Sequence, residues 1–258
     1  MPTKLIRGLN AIMPDCQGGV LTIGNFDGVH AGHQELIAKV IAEAKMRGVP
    51  SMVMTFEPHP FEFFSGDQLT IPRLTRLREK FRLLTENAID YVLVMPFNQD
   101  LANLSASDFV TQVIGAIQPV HIVIGDDFRF GCKRLGDAKL LTQMGETARF
   151  TVSSLPTITI QNERVSSTRV RKALLTGDHE LAERLLSHPY TMLGRVGHGN
   201  KLGRELGFHG KIGLGKIQCI FIVCHNTPCF KKIGSSRFHI FLNLFLQKIE
   251  RFITFFVA

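Results

Sequence analysis

No stretch of the 258-residue chain reaches about 18 uncharged apolar residues, so no membrane span is expected. Lys4 and Arg7 are not followed by an apolar run of signal-peptide length, and no secretion signal is expected either. Cysteine is sparse and scattered: Cys16 and Cys132 lie far from any partner motif. That pattern suits a reducing cytoplasm better than a disulfide framework. Internal repeats are missing. Acidic residues nearly vanish late in the chain, with no Asp and only Glu250 from His209 onward.

The acid shortage explains the net charge of +8. Through Tyr190 the chain holds 20 Lys+Arg and 20 Asp+Glu; from Thr191 it holds 10 and 2, which together recover the totals of 30 and 22. The main body is therefore electrically balanced, which argues against a nucleic-acid-binding face there. From His209 onward the chain also carries eight of the 20 Phe and three of the five Cys, Cys219, Cys224 and Cys229.

What the chain does have is alternation. Val20 to Ile23, Ser51 to Phe56, Tyr91 to Met95, Val120 to Ile124 and Thr157 to Ile160 read as strands. Leu36, Ile37, Val40, Ile41 and Ala44 recur at helical spacing within Gln34 to Arg47. Arg73 to Asn87 reads as a helix, and Ser105 or Ser107 caps another running through Phe109, Val110, Val113 and Ile114. Ser167 to Leu175 and His179 to Leu186 are two more. Continuous apolar strands between helices predict an α/β domain with a mostly parallel sheet covered on both faces. After Tyr190, closely spaced glycines at 194, 197, 199, 203 and 207 change the texture, and a boundary is placed near Ser187 to Tyr190.

Four segments carry chemistry. Gly24-Asn25-Phe26-Asp27-Gly28-Val29-His30-Ala31-Gly32-His33 sits where a strand gives way to a helix. Glycines 24, 28 and 32 let backbone approach phosphate oxygens, and the helix beginning near Gly32 offers unpaired N–H groups and a positive dipole end. His30 and His33 can share one face of the first turn. Nucleotidyl transfer needs positioning and positive charge around phosphorus, which two imidazoles there supply. As a zinc site the pair lacks further ligands, and no protein metal ligand is assigned. Val165-Ser166-Ser167-Thr168-Arg169-Val170-Arg171 offers hydroxyls and arginines at a second helix start; arginine is unfavourable there unless an anion is bound. Thr55-Phe56-Glu57-Pro58-His59-Pro60-Phe61 and Ile124-Gly125-Asp126-Asp127-Phe128-Arg129-Phe130-Gly131 place aromatics and acids at strand ends, fit for a flat-walled pocket.

Together, in this order, the four segments resemble the bacterial bifunctional riboflavin kinase/FMN adenylyltransferase family, over about Gly18 to Phe208. The first and last occur widely among adenylyltransferases; the middle two point to the FAD-forming branch. The resemblance implies a Rossmann-like nucleotidyltransferase domain at 1–188 that makes FAD and pyrophosphate from FMN and ATP with Mg²⁺. It implies that His30, His33 and Arg171 are catalytic, and that Gly24, Asn25, Phe26, Asp27, Gly32, Ser167, Thr168 and Arg169 bind ATP. Phe56, Pro58, Pro60, Asp126 and Phe128 would line the flavin site. The implied partners are the small molecules ATP and FMN, with no nucleic acid; oligomeric state carries no sequence signal.

The glycine-rich segment Gly194 to Phe208 resembles the opening of that family's riboflavin kinase β-barrel, placing its start at 189–208. The family then continues Pro-Thr-Ala-Asn, whose Thr and Asn handle Mg²⁺ and ATP phosphates. Here the chain reads His209-Gly210-Lys211-Ile212. The expectation is an incomplete barrel remnant and a divergent tail at 209–258, out of the ancestral frame or replaced, with kinase activity lost. Competing functions are adenylyl transfer to another phosphorylated acceptor such as phosphopantetheine or nicotinate mononucleotide, a non-catalytic flavin- or nucleotide-binding remnant, and nucleic-acid binding through the basic tail.

Overall fold

The computed structural model describes residues 2–65, 71–195 and 218–222. These fall almost wholly in the first of two compact units, Met1–Phe221; the other is Ile222–Ala258. All of the expected divergent tail except 218–222, and most of the expected barrel remnant, lie outside the described residues. Within them, Thr191–Arg195 and Gln218–Ile222 form a separate two-stranded sheet.

The main sheet has six strands: β1 (Lys4–Arg7), β2 (Val20–Ile23), β3 (Ser51–Glu57), β4 (Tyr91–Pro96), β5 (His121–Gly125) and β6 (Thr151–Leu155), in the order β1-β4-β3-β2-β5-β6. Every pairing is parallel. Successive side chains of each strand face opposite layers, which is why the strands read as continuous apolar runs. Leu21, Ile23, Met52, Met54, Leu93, Ile122 and Ile124 pack on Phe109, Val110, Val113, Ile114 and Ile117. Val20, Val53, Val92, Val94 and Val123 pack instead on helix α1 (Ala31–Arg47) and helix α3 (Leu77–Glu86), with the short helix α2 (Pro60–Ser65) between them in the chain. A third apolar cluster joins Leu74 and Val165 to the last two helices, Ser167–Leu175 and His179–Leu186.

Two expectations change. The sixth sheet strand is Thr151–Leu155, and Thr157 to Ile160 contributes only the two-residue strand Thr159–Ile160, paired antiparallel with Glu163–Arg164. Edge position explains the misreading: a strand with one free edge carries Thr and Ser without cost. β1, the other edge, was likewise silent in the pattern. The helix expected from Arg73 begins at Leu77: Arg76 is its extended N-cap, with φ −76° and ψ 163°, and donates its N–H to the Glu79 carboxylate at 2.9 Å. Of the two candidate caps, Ser105 is the one used: its Oγ accepts the N–H of Asp108 at 3.0 Å.

The strand order reverses between β2 and β5. Chain from β2 proceeds to β3 and β4 on one side, then returns to β5 and β6 on the other. In open α/β sheets, loops diverge at such a switch point and leave a crevice at the carboxyl edge. The loops leaving β2 and β5 are Gly24 to His30 and Asp126 to Gly131.

Candidate active site

A cavity of about 700 Å³ opens at that crevice. Its lining combines groups suited to phosphate, His30, Gly32, His33, Ser166, Ser167, Thr168 and Arg171, with an aromatic part. The aromatic part is built from Phe56, Phe61, Phe64, Phe97, Phe109, Phe128 and Phe130. Phe97 meets Phe56, Phe63 and Phe64 edge-on, at centroid distances of 5.8, 5.3 and 5.7 Å.

The turn leaving β2 is held in a demanding backbone. Phe26 and Val29 have φ of 48° and 41°, a region that L residues rarely adopt and that a β-branched residue adopts least. Surrounding bonds over-determine it. Asp27 is 2% exposed, and its carboxylate accepts the N–H groups of Leu74 and Thr75, the hydroxyl of Thr75 and the guanidinium of Arg171. Thr75 Oγ1 accepts the N–H of Gly28 at 3.0 Å. The Ser167 hydroxyl donates to the Asp27 carbonyl at 2.9 Å, tying the second motif to the first. Gln34 Nε2 donates to the carbonyls of Val29 and Leu186.

His30 caps α1, its Nδ1 accepting the N–H of His33 at 3.3 Å. A neutral imidazole that accepts at one nitrogen carries its proton on the other, so Nε2 is left as a donor. The two rings stack at 3.6 Å and 14°. Gly32 makes room for this: a Cβ there would stand 3.3 Å from the His30 ring. His33 also meets Phe26 at 5.0 Å, and its Nδ1 is shut from solvent without a hydrogen-bond partner among the described residues.

The charge on these rings is where expectation needs correcting. Burial pulls the pKa of His30 down to about 4, with a further push from Arg164. Burial, then His30 and Lys80, holds His33 well below its ordinary value. Both rings are neutral at pH 7 in the unliganded protein, and the positive charge near them at that pH comes from Arg171, Arg164 and Lys80. A stability consequence follows. Below pH about 6.5 the unfolded His30 takes up a proton that the folded one refuses until about pH 4, so acid favours unfolding. The difference is worth roughly 3 kcal/mol across that window. His33, His59 and His121, all depressed chiefly by burial, act with the same sign. Urea midpoints measured at pH 7 and pH 4.5 are expected to fall steeply for the native sequence and less so for His30→Asn; equal slopes would contradict the assignment.

Most residues singled out in the sequence line this cavity: His30, His33, Arg171, Gly24, Asn25, Phe26, Asp27, Gly32, Ser167, Thr168, Phe56, Pro60, Asp126 and Phe128. Two stand apart from it. Arg169 points to the small hairpin, donating to the carbonyls of Ile160 and Glu163 at 2.8 and 2.9 Å and pairing with the Glu163 carboxylate. Pro58 is exposed outside the cavity, one residue past the strand end. Gly28, read as a phosphate-approach glycine, is a packing glycine: φ is +82° and a Cβ would meet Leu74 Cδ1 at 2.8 Å. Asp126 spends its carboxylate on the N–H and hydroxyl of Thr157, at 2.9 and 2.6 Å, fixing the loop that follows β6.

Phe97, Phe109, Arg164 and Lys80 were not anticipated. Phe97 follows the carboxyl end of β4, so the strand-end rule pointed to it. Lys80 shares a helix face with Leu83 and Leu84, and a lysine on an apolar face is itself a signal. Among the described residues no three His, Cys, Asp or Glu side chains gather to hold a metal ion.

A family model described as FAD synthetase matches residues 12–169, more than half of the chain. The bifunctional riboflavin kinase/FMN adenylyltransferase of Pseudomonas fluorescens is 45% identical over 205 residues, covering 79% of this chain and 65% of the relative. Its counterpart from Escherichia coli strain K12 is 46% identical over 207 residues, 80% of this chain and 66% of the relative. The chain thus spans slightly less than two thirds of these relatives. That of Buchnera aphidicola subsp. Schizaphis graminum is 35% identical over 278 residues, with 97% and 89% covered. A solved structure described as a macrolide-efflux protein from Streptococcus pneumoniae superposes with a TM-score of 0.69 at 30% identity, covering 80% of this chain and 67% of that one. A nucleotide-scale cavity at the switch point of a parallel sheet and these matches agree: the chain belongs to the FAD synthetase family.

Proposed function

We propose that the chain is an FMN adenylyltransferase, joining AMP from ATP to FMN and releasing pyrophosphate. One observation carries the reading: a single cavity joins the stacked histidines and a helix start to a wall of seven phenylalanines, so a polyphosphate and a flat aromatic ring system fit side by side. The FMN phosphate oxygen forms a bond to the α-phosphorus of ATP as the bond to the β-phosphate oxygen breaks. Charge grows on the α-phosphate oxygens and on departing pyrophosphate. His30 Nε2–H donates to the former, and the start of Ser167–Leu175 with Arg171 receives the latter. Mg²⁺ bound with ATP would offset the phosphate charge. The unpaired state of Cys16 and Cys132 fits work in a reducing cytoplasm.

The reading includes loss of riboflavin phosphorylation, since Gly210 and Ile212 stand where the family's kinase half has Thr and Asn. The domain division belongs to it too: 1–188 for adenylyl transfer, with the kinase remnant after it. Purified protein incubated with ATP, Mg²⁺ and either flavin, followed by chromatography, tests both parts. FAD from FMN without FMN from riboflavin is the expected result. Folded protein that yields no FAD from FMN sinks the first part; FMN from riboflavin sinks the second.

A further inference from the structure

Against the β2 turn, outside the cavity's lining, lies a buried lysine that adenylyl transfer as described does not use. Lys80 is 3% exposed. Its Nζ donates to the Asn25 carbonyl at 2.6 Å and to Thr55 Oγ1 at 3.3 Å, and Thr55 donates to the same carbonyl at 3.1 Å. Among the described residues it makes no ion pair with a carboxylate. A buried ammonium held only by neutral oxygens is costly, and a merely structural position would be filled more cheaply by Leu or Met.

Two features of its surroundings give that cost a purpose. The Asn25–Phe26 peptide is trans, so its N–H points opposite to its carbonyl. Fixing the carbonyl on Lys80 leaves the Phe26 N–H on the far side of the peptide, where it has no acceptor among the described residues. Asn25 and Phe26 line the cavity; Lys80 does not. The second feature is charge. The ionised groups acting on Lys80 are Asp27 on the turn, Glu57 at the end of β3, Glu62 on α2 and Arg73 before α3. Asp27 is paired with Arg171, and Glu57 and Glu62 share Arg73. The neighbouring His33 and His59 are held neutral, chiefly by burial. Three carboxylates are thus matched by three cations only while Lys80 keeps its proton.

We propose that Lys80 is a positioning residue for ATP: it aims the Phe26 N–H at the nucleotide phosphates and keeps the ground beneath them free of net negative charge. The proposal rests on the adenylyl-transfer reading and names what sets its nucleotide affinity. Burial, opposed by the carboxylates, lowers Lys80 to about 8, so the proton is lost within a working pH range. ATP is fully ionised above pH about 7.5 and does not itself titrate there.

The test compares the native chain with Lys80→Met between pH 7.5 and 9.5, reading KM for ATP and for FMN, kcat, and ATP binding by calorimetry. In the native chain KM for ATP is expected to rise about tenfold or more over this range, with KM for FMN within twofold. Lys80→Met is expected to show the high ATP value at both pH values. A flat native profile overturns the proposal. So does a folded variant that binds ATP like the native chain, or one that loses ATP and FMN affinity equally, which is the mark of a structural role. If the variant does not fold, the native profile decides alone. Protein that binds ATP with this pH dependence but makes no FAD supports Lys80 while sinking adenylyl transfer.

Discussion

Replacing His30 with alanine is expected to lower FAD formation from FMN by about 10²- to 10⁴-fold, the range for losing a positioned donor to the transition state. Flavin binding is expected to stay within about threefold, because His30 has no ring contact with the phenylalanines assigned to the flavin, Phe56 and Phe128. The alanine variant has a second defect, since His30 Nδ1 also caps α1. A lost cap costs about 1 kcal/mol. His30→Asn separates the two roles: Asn is among the best N-caps, so stability returns while turnover does not. Steady-state kinetics with a urea titration of each variant settles the point. An asparagine variant that retains more than a tenth of native turnover removes His30 from catalysis.

Asp27→Ala is expected to be the most damaging single change for folding, at about 3–5 kcal/mol. Its carboxylate is where three segments meet: the turn itself, the chain at Leu74–Thr75 and Arg171 of the second motif. Removing it strands a guanidinium whose side chain is 14% exposed and leaves two backbone N–H groups without acceptors. Unfilled donors of that kind cost about 1–3 kcal/mol each before any charge effect. Asp27→Asn keeps an oxygen for the N–H groups and gives up the charge that holds Arg171. It is expected to fall between native and alanine in stability, and to weaken ATP binding. Urea unfolding at pH 7 measures this; a loss under 1 kcal/mol for the alanine variant would show that the carboxylate does not hold the site together.

Asp27 also marks the limit of reading by motif. Its place in Gly24 to His33 suggested a group that meets ATP, and it does line the cavity. Its bonds are nevertheless all directed into the protein. The same holds for Arg169, one helical position away from a cavity face, and for Gly28, whose missing Cβ serves Leu74 and Leu186. Side-chain type and spacing told which segments matter; direction needed the folded neighbours, which for Asp27 lie 47 to 144 residues away in sequence.

The sequence by itself determined the parallel α/β architecture, because a strand buried on both faces must be apolar throughout and its helices must carry a 3.6-residue stripe. It also determined the pairing of His30 with His33 on one helical turn, since that contact is local. Tertiary structure alone decided the two polar edge strands, the join between phosphate-suited groups and aromatic wall, and the protonation of the histidines. Burial, which is a property of the assembled fold, turned the expected positive imidazoles neutral. It moved the positive charge to Arg171 and to a lysine against the turn.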